Sequence, residues 1–175
     1  PKPILAKPLA PFSEGNLAFY RDVESGISFA YPNGWVSGRV PNGAFVMHRH
    51  NPEQLASGIV DLGMTLMQFT FKNSPYGQLD DKSLCAAYVD NVTMQGRPKT
   101  LLWRTTGTTA TGFPTTTFCY HYDSGGDRMS AVAHVAAAYG VIHHLDVTGV
   151  CTLVDGHIES WKALLHRLNV EKMFV

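Results

Sequence analysis

The stretch TTTFCYHYDSGGDRMSAVAHVAAAYGVIHHLDVT, residues 115–148, decides the fold of this chain. It contains three runs of β-branched, aromatic and small apolar residues, which are typical of strands. Two short glycine-containing segments, DSGGD at 123–127 and Tyr139-Gly140, separate the runs as tight turns. Because strands joined by tight turns are antiparallel, the stretch predicts a three-stranded meander. Its strands are expected at 115–122, 129–137 and 141–148.

Further strands are predicted before the meander. Ile27, Phe29 and Tyr31 alternate with small residues, which is the two-residue period of a strand, and a Pro-Asn-Gly turn ends this run just before Trp35, an expected core anchor. In residues 61–71, Leu62, Met64, Leu66 and Gln68 share one face. The predicted strands before the meander are 27–31, 44–47, 61–71 and 101–106.

Two helices are predicted, one before and one after the last four strands in the sequence. Asp80 and Asp81 can accept from free N–H groups at a helix N-terminus, and an apolar stripe runs from Leu84 through Tyr88 to Val92. A second stripe, centred on Trp161, follows Asp155, which is expected to cap that helix. The order of elements predicts an α+β protein, with helices covering an antiparallel sheet of about six strands.

Composition limits the function. The chain has 175 residues, 45% of them hydrophobic, and a formal net charge of +0, which excludes extensive disorder and argues against binding nucleic acid or an anionic membrane. The sequence has no uninterrupted apolar run of about 18 residues, so no transmembrane helix is predicted. Four of the ten prolines lie in residues 1–11, so residues 1–15 are expected to form an extended arm before a single domain at 16–175.

The eight histidines are the unusual polar feature of the sequence. On a strand, His48 and His50 would share one face, where a third ligand could complete a metal site. The alternative is a pair of exposed surface imidazoles. The Tyr139-Gly140 turn places His134 diagonal to His143 on one sheet face, so a metal site or a pair of neutral, partly buried imidazoles is expected there. His143 and His144 must point to opposite faces.

The remaining cysteine, histidine and aspartate pairs do not predict a catalytic site. Cys119 and His121 share a face, but the sequence predicts no carboxylate beside them and no helix N-terminus to activate the thiol. Asp146 and His144 are expected to form a surface hydrogen bond. Together with Cys85 and Cys151, Cys119 is expected to fill the core as a small thiol. No catalytic residue is therefore predicted.

Two segments of the chain resemble a known family. Residues 16–22 (NLAFYRD) and 26–35 (GISFAYPNGW) resemble the opening of PsbP-family proteins, and the order of the remaining elements to about residue 170 is similar. The resemblance implies an α/β/α sandwich shared with Mog-type Ran-binding proteins. PsbP proteins are extrinsic subunits of photosystem II that support calcium and chloride retention in the thylakoid lumen. The residues themselves predict no cofactor, and calcium is implied as a bound cofactor by the resemblance alone.

These observations favour a binding protein without enzymatic activity that docks to a protein complex. The expected contact surfaces are the arm, the turn at 124–128 and the loop at 48–54. The resemblance implies a photosystem II role in the thylakoid lumen, or a Ran-binding, scaffolding or chaperone-like role in the cytoplasm or nucleus. A histidine-based metal-binding protein and an enzyme of unrecognised type are the alternatives.

Overall fold

The computed structural model describes residues 12–13, 15–41, 43–49, 62–94 and 99–173. Ten strands and three α-helices lie within these residues, together with a short 3-10 helix at Pro75–Gln78. The strands are β1 (Leu17–Arg21), β2 (Ile27–Pro32), β3 (Val36–Arg39), β4 (Phe45–His48), β5 (Leu62–Thr70), β6 (Thr100–Thr108), β7 (Pro114–Ser124), β8 (Asp127–Ala138), β9 (Val141–Val150) and β10 (Asn169–Val170). The helices are α1 (Asp81–Met94), α2 (Cys151–Asp155) and α3 (Ile158–Leu165).

The strands form two antiparallel sheets. The larger sheet has seven strands in the order β3-β4-β5-β9-β8-β7-β6, and the smaller has three in the order β1-β2-β10. The predicted meander is confirmed, since β7, β8 and β9 are consecutive neighbours in the larger sheet. The strand predicted at 27–31 is also confirmed, but it lies in the smaller sheet rather than in a single sheet of six.

The predicted two-residue turn between β8 and β9 forms as expected. Tyr139 (φ 54°) and Gly140 (φ 75°) are both left-handed, the conformation that a type I′ hairpin requires. The Asp81 carboxylate accepts from both turn amides at 3.2 Å, so the first residue of α1 holds the turn. The preceding residue, Asp80, accepts from the Ser83 amide at 2.7 Å, which confirms the predicted helix start.

Helices cover both faces of the larger sheet, as predicted. α1 packs on one face through its stripe of Leu84, Cys85 and Val89, which are buried against Phe118 and other sheet residues. On the other face, α3 and the smaller sheet enclose a second core around Trp161. The Trp161 ring is fully buried, 6.1 Å from the partly buried Trp35 ring, so Trp35 borders this core.

Several expectations for the chain ends need correction or lie outside the described residues. Asp155 ends α2 instead of capping the last helix, because the chain from 151 to 165 forms two helices separated by Gly156 and His157. Strands β1, β3 and β10 were not predicted. The arm falls almost entirely on residues that the structure does not describe, although Phe12 packs 5.0 Å from Trp161. Among the described residues, no helix has the length and hydrophobicity to cross a membrane.

Candidate functional site

An apolar pocket opens between α1, the end of β5 and the short 3-10 helix. Its volume is about 210 Å³. The pocket forms there because aromatic residues of β5 and of the loop after it lie opposite the apolar stripe of α1. Its lining residues are Phe69, Phe71, Tyr76, Leu84, Ala87, Tyr88 and Asn91.

The rim of this pocket exposes apolar side chains. Phe69 is 40% exposed and Tyr76 49% exposed. Met94, 85% exposed, follows Ala87 and Asn91 at helical spacing, so it extends the same side of α1 beyond the pocket. An exposed apolar surface that leads into a pocket of this kind suits the seating of an aliphatic or aromatic side chain.

Tyr88 connects the pocket wall to a buried polar group on the sheet. Its hydroxyl lies 2.7 Å from His144 Nδ1, within hydrogen-bond distance. His144 Nε2 in turn lies 3.2 Å from Asp146 Oδ2, but it is not in hydrogen-bond geometry and has no hydrogen-bond partner among the described residues. His144 and Asp146 are both buried, so the surface hydrogen bond predicted for them is wrong. The reason is that α1 covers this face of β9.

The tyrosines near Asp146 remain neutral at physiological pH. Burial, and then the Asp146 charge, raise the pKa of Tyr88. The same two causes raise the pKa of Tyr120 and Tyr122. A tyrosine held in this state acts as a hydrogen-bond donor or acceptor rather than as a base. Tyr88 therefore links the pocket wall to His144 through a neutral hydroxyl.

His143 and His144 point to opposite faces of β9, as predicted. His134 and His143 both lie on the face covered by α3, where each has its own partner. His134 Nδ1 lies 2.7 Å from Thr117 Oγ1, and Gln68 Nε2 donates to His143 Nδ1 at 3.0 Å. Burial lowers the pKa of His134 to about 3 and that of His143 to about 4. These values agree with the expected pair of neutral imidazoles.

The other predicted histidine pair is described only in part. His48 is the last residue of β4, and its Nδ1 is buried without a hydrogen-bond partner among the described residues. His50, with most of the 48–54 loop, lies outside the described residues. Metal binding by either pair stays a prediction, as does the calcium that the resemblance implies.

A polar cluster that the sequence did not predict lies on the α3 side of the sheet. His121 Nε2 is 2.8 Å from Asp155 Oδ2, and the Ser130 hydroxyl donates to Asp155 Oδ1 at 2.6 Å. The expectation of no carboxylate near His121 was wrong, because Asp155 had been assigned to a helix cap. The i, i+4 spacing of Cys151 and Asp155 is the sequence signal that could have indicated this cluster.

Two of the three cysteines fill the core as expected. Cys85 and Cys119 are buried, with sulfur contacts of 3.6 Å to Thr116 and 3.7 Å to Ser130. Burial raises the pKa of both thiols. Cys151 is only half-buried and lies beside the polar cluster, so it does not fit that expectation.

Comparison with known proteins places the chain by its structure alone. No family model matches the sequence, and no curated protein matches it. Cyanobacterial PsbP (CyanoP) from Synechocystis sp. PCC 6803 is similar in structure, with a TM-score of 0.62 at 15% identity over 91% of this chain and 95% of that one.

Two further solved structures share the architecture. LpqN from Mycobacterium tuberculosis, involved in cell envelope biogenesis, gives a TM-score of 0.56 at 11% identity over 90% of this chain and 91% of that one. PA94 from Pseudomonas aeruginosa, a protein of unknown function, gives 0.55 at 13% identity over 91% of this chain and 100% of that one. At these identities the structural similarity shows a PsbP-like α+β fold, and the function has to be argued from the site.

Proposed function

We propose that this protein acts without enzymatic activity, by docking to a protein complex through the pocket between α1 and β5. The observation that carries the proposal is an exposed apolar surface: Phe69 and Tyr76 line a pocket of about 210 Å³, and Met94 extends that surface along α1 beyond the pocket. The occupant is an aliphatic or aromatic side chain of a protein partner. Such anchors in pockets supply much of the affinity of protein interfaces.

The chemistry of the described residues supports binding over reaction. Tyr88, whose hydroxyl contacts His144 behind the pocket wall, is kept neutral by burial. Burial is also the first cause that raises the pKa of each thiol, Cys85, Cys119 and Cys151. A nucleophilic cysteine needs the opposite shift, toward the thiolate.

The partner class follows from fold and charge. Because the net charge is +0, the protein has no bulk electrostatic attraction for a partner, which favours an apolar contact. The resemblance to PsbP favours an extrinsic subunit of a photosystem II-type complex. A Ran-binding, scaffolding or chaperone-like role is the alternative, and identification of the captured partner separates the two.

The test compares two exposed phenylalanines. Phe69→Ser removes one side of the pocket rim, whereas Phe19→Ser changes a 71% exposed phenylalanine of β1, in the smaller sheet. In a quantitative pull-down from native extract followed by binding assays with the captured complex, Phe69→Ser is expected to weaken binding at least about tenfold. Phe19→Ser should bind as the wild type, and circular dichroism should show that both variants are folded.

Two outcomes contradict the proposal: equal affinity of Phe69→Ser and the wild type, or an equal loss in both variants. Deletion of residues 1–14 provides a second comparison. If that deletion alone abolishes capture, the arm is the docking device and the pocket is not. Because the proposed contact is apolar, binding should also persist at high salt.

A further inference from the structure

Three potential metal ligands meet where β7 approaches α2. His121 lies on β7, and Cys151 and Asp155 lie on α2. One ligand atom from each, an imidazole nitrogen, the thiol sulfur and a carboxylate oxygen, all lie within 4.8 Å of one another. Among the residues that the structure describes, this is the one group of three such side chains that meets this distance.

The fold brings these side chains together through two local rules. Cys151 and Asp155 are four residues apart on a helix, so they lie on the same side, one turn apart. His121 pairs with Ser130 across β7 and β8, and the Ser130 hydroxyl donates to Asp155 Oδ1 at 2.6 Å. Ser130 therefore orients the carboxylate, whose Oδ2 already faces the imidazole at 2.8 Å.

The donor set indicates which ion would bind. Nitrogen, sulfur and oxygen together suit a borderline cation such as Zn²⁺, whereas Ca²⁺ takes about 6–8 oxygen ligands. Tetrahedral zinc with ordinary bond lengths holds its ligand atoms about 3.3–3.8 Å apart. To reach that range the 2.8 Å contact between His121 and Asp155 must lengthen, and any spacing near 4.8 Å must shorten. Side-chain rotations can make both changes, because His121 and Cys151 are only half-buried and Asp155 is exposed.

We propose that His121, Cys151 and Asp155 bind a divalent transition-metal ion, Zn²⁺ foremost, and leave a fourth coordination position open. Ser130 acts as the outer partner that orients Asp155, an arrangement common in metal sites. Neighbouring charges are balanced there, since Arg128 lies 3.2 Å from Asp123. This site is separate from the docking pocket, so the proposal does not depend on the proposed function.

Binding includes a defined proton step. A cysteine without a bound metal keeps its thiol proton at neutral pH, since an ordinary thiol titrates at about 8.5. The metal ligand is the thiolate, so formation of the metal–sulfur bond releases the thiol proton to solvent. The sulfur keeps its electron pair and donates it to the metal, and no oxidant or reductant is needed.

The first test uses the unmodified chain. Co²⁺ replaces Zn²⁺ as an optical probe, and a thiolate ligand should produce a sulfur-to-cobalt charge-transfer band together with the visible bands of tetrahedral cobalt. Zn²⁺ should displace the cobalt and protect Cys151 from alkylation by iodoacetamide, as read by mass spectrometry. Absence of the charge-transfer band, or alkylation of Cys151 at the same rate with and without Zn²⁺, overturns the proposal.

The second test uses variants in calorimetric Zn²⁺ titrations. Cys151→Ala, His121→Gln and Asp155→Asn are each expected to weaken binding by at least about 100-fold, and Ser130→Ala by about 10-fold, as typical for an outer partner. His166→Gln is the matched control, since His166 contacts Thr117 outside the cluster. Unchanged affinity in Cys151→Ala, or a loss caused instead by His134→Gln, contradicts the site.

Discussion

Three histidines, His134, His143 and His144, are buried against the larger sheet, and each keeps Nδ1 within hydrogen-bond distance of a neighbouring side chain. A single polar contact of this kind offsets part of the cost of burying a polar group. Burial of an imidazole disfavours its charged form, which explains the low pKa values of His134 and His143. The sequence could show that His143 and His144 face opposite ways, but not that both faces would be covered.

These pKa values predict how stability depends on pH. An unfolded histidine titrates near 6.5, whereas His134 and His143 titrate at about 3 and about 4 in the fold. Between these values the unfolded chain binds more protons, so stability should fall as the pH falls below about 6.5. The expected loss is roughly 1 kcal/mol per pH unit for each histidine.

Urea unfolding between pH 7 and pH 5 measures this slope. The variant His143→Gln keeps a polar partner for Gln68 and removes one of the two titrating rings. The slope of the free energy of unfolding against pH gives the number of protons taken up on unfolding, and this number should be smaller in His143→Gln than in the wild type by about one. Equal slopes for the two proteins would contradict burial of a neutral His143.

At the scale of the element, Asp81 connects α1 to the β8–β9 hairpin. It is the first residue of the helix, and its carboxylate accepts from the amides of Tyr139 and Gly140. Both elements were predicted from local signals, the helix from its acidic start and stripe and the turn from its glycine. The bond between them joins residues 58 or more positions apart, so it became visible only when the hairpin was packed against the helix.

Asp81→Ala is expected to lower the free energy of unfolding by about 1–3 kcal/mol, since it leaves two turn amides without their acceptor. Asp127→Ala, an exposed acid beside the other hairpin turn, is the matched control and should change stability by less than about 0.5 kcal/mol. Urea unfolding measures the difference. Hydrogen exchange at Tyr139 and Gly140 should speed up only in Asp81→Ala, and unchanged exchange there would refute the proposed connection.

At the scale of the whole molecule, the two sheets share one core. Ile27 and Phe29 of the smaller sheet belong to the same buried cluster as Met64 and Leu145 of the larger one, and Trp161 of α3 lies within it. The Trp161 indole also donates to the Leu153 carbonyl at 3.4 Å, so α2 and α3 are held together there. A shared core of this kind couples the stability of its parts.

The shared core predicts one cooperative unfolding transition. Circular dichroism and tryptophan fluorescence should give the same urea midpoint in the wild type. Trp161→Ala should lower stability by about 3–5 kcal/mol and move both signals together, with Trp35 and Trp103 as the remaining reporters. Glu159→Ala, an exposed change on the same helix, should leave the midpoint unchanged. Separate midpoints in Trp161→Ala would show that the smaller sheet unfolds independently.

The candidate site could be predicted only in pieces. The α1 stripe was visible in the sequence, and it supplies Leu84 and Tyr88 to the pocket lining. Phe69 lies on the face of β5 opposite to the predicted apolar face. The contact of Tyr88 with His144 was not visible, because periodicity assigns a residue to a face and does not identify what packs on that face. Asp155 was misplaced for a related reason, since its carboxylate is used by Ser130 and His121 from distant strands.

By itself the sequence determined the strands of the meander, both turns and the helix start at Asp80-Asp81, since these depend on local periodicity and backbone geometry. Only the tertiary structure decided that residues 27–32 join a second sheet with β10, and that His121, Cys151 and Asp155 meet. The physical reason is that pairing and packing between distant segments are set by the shared burial of their faces, which a local pattern of residues does not encode.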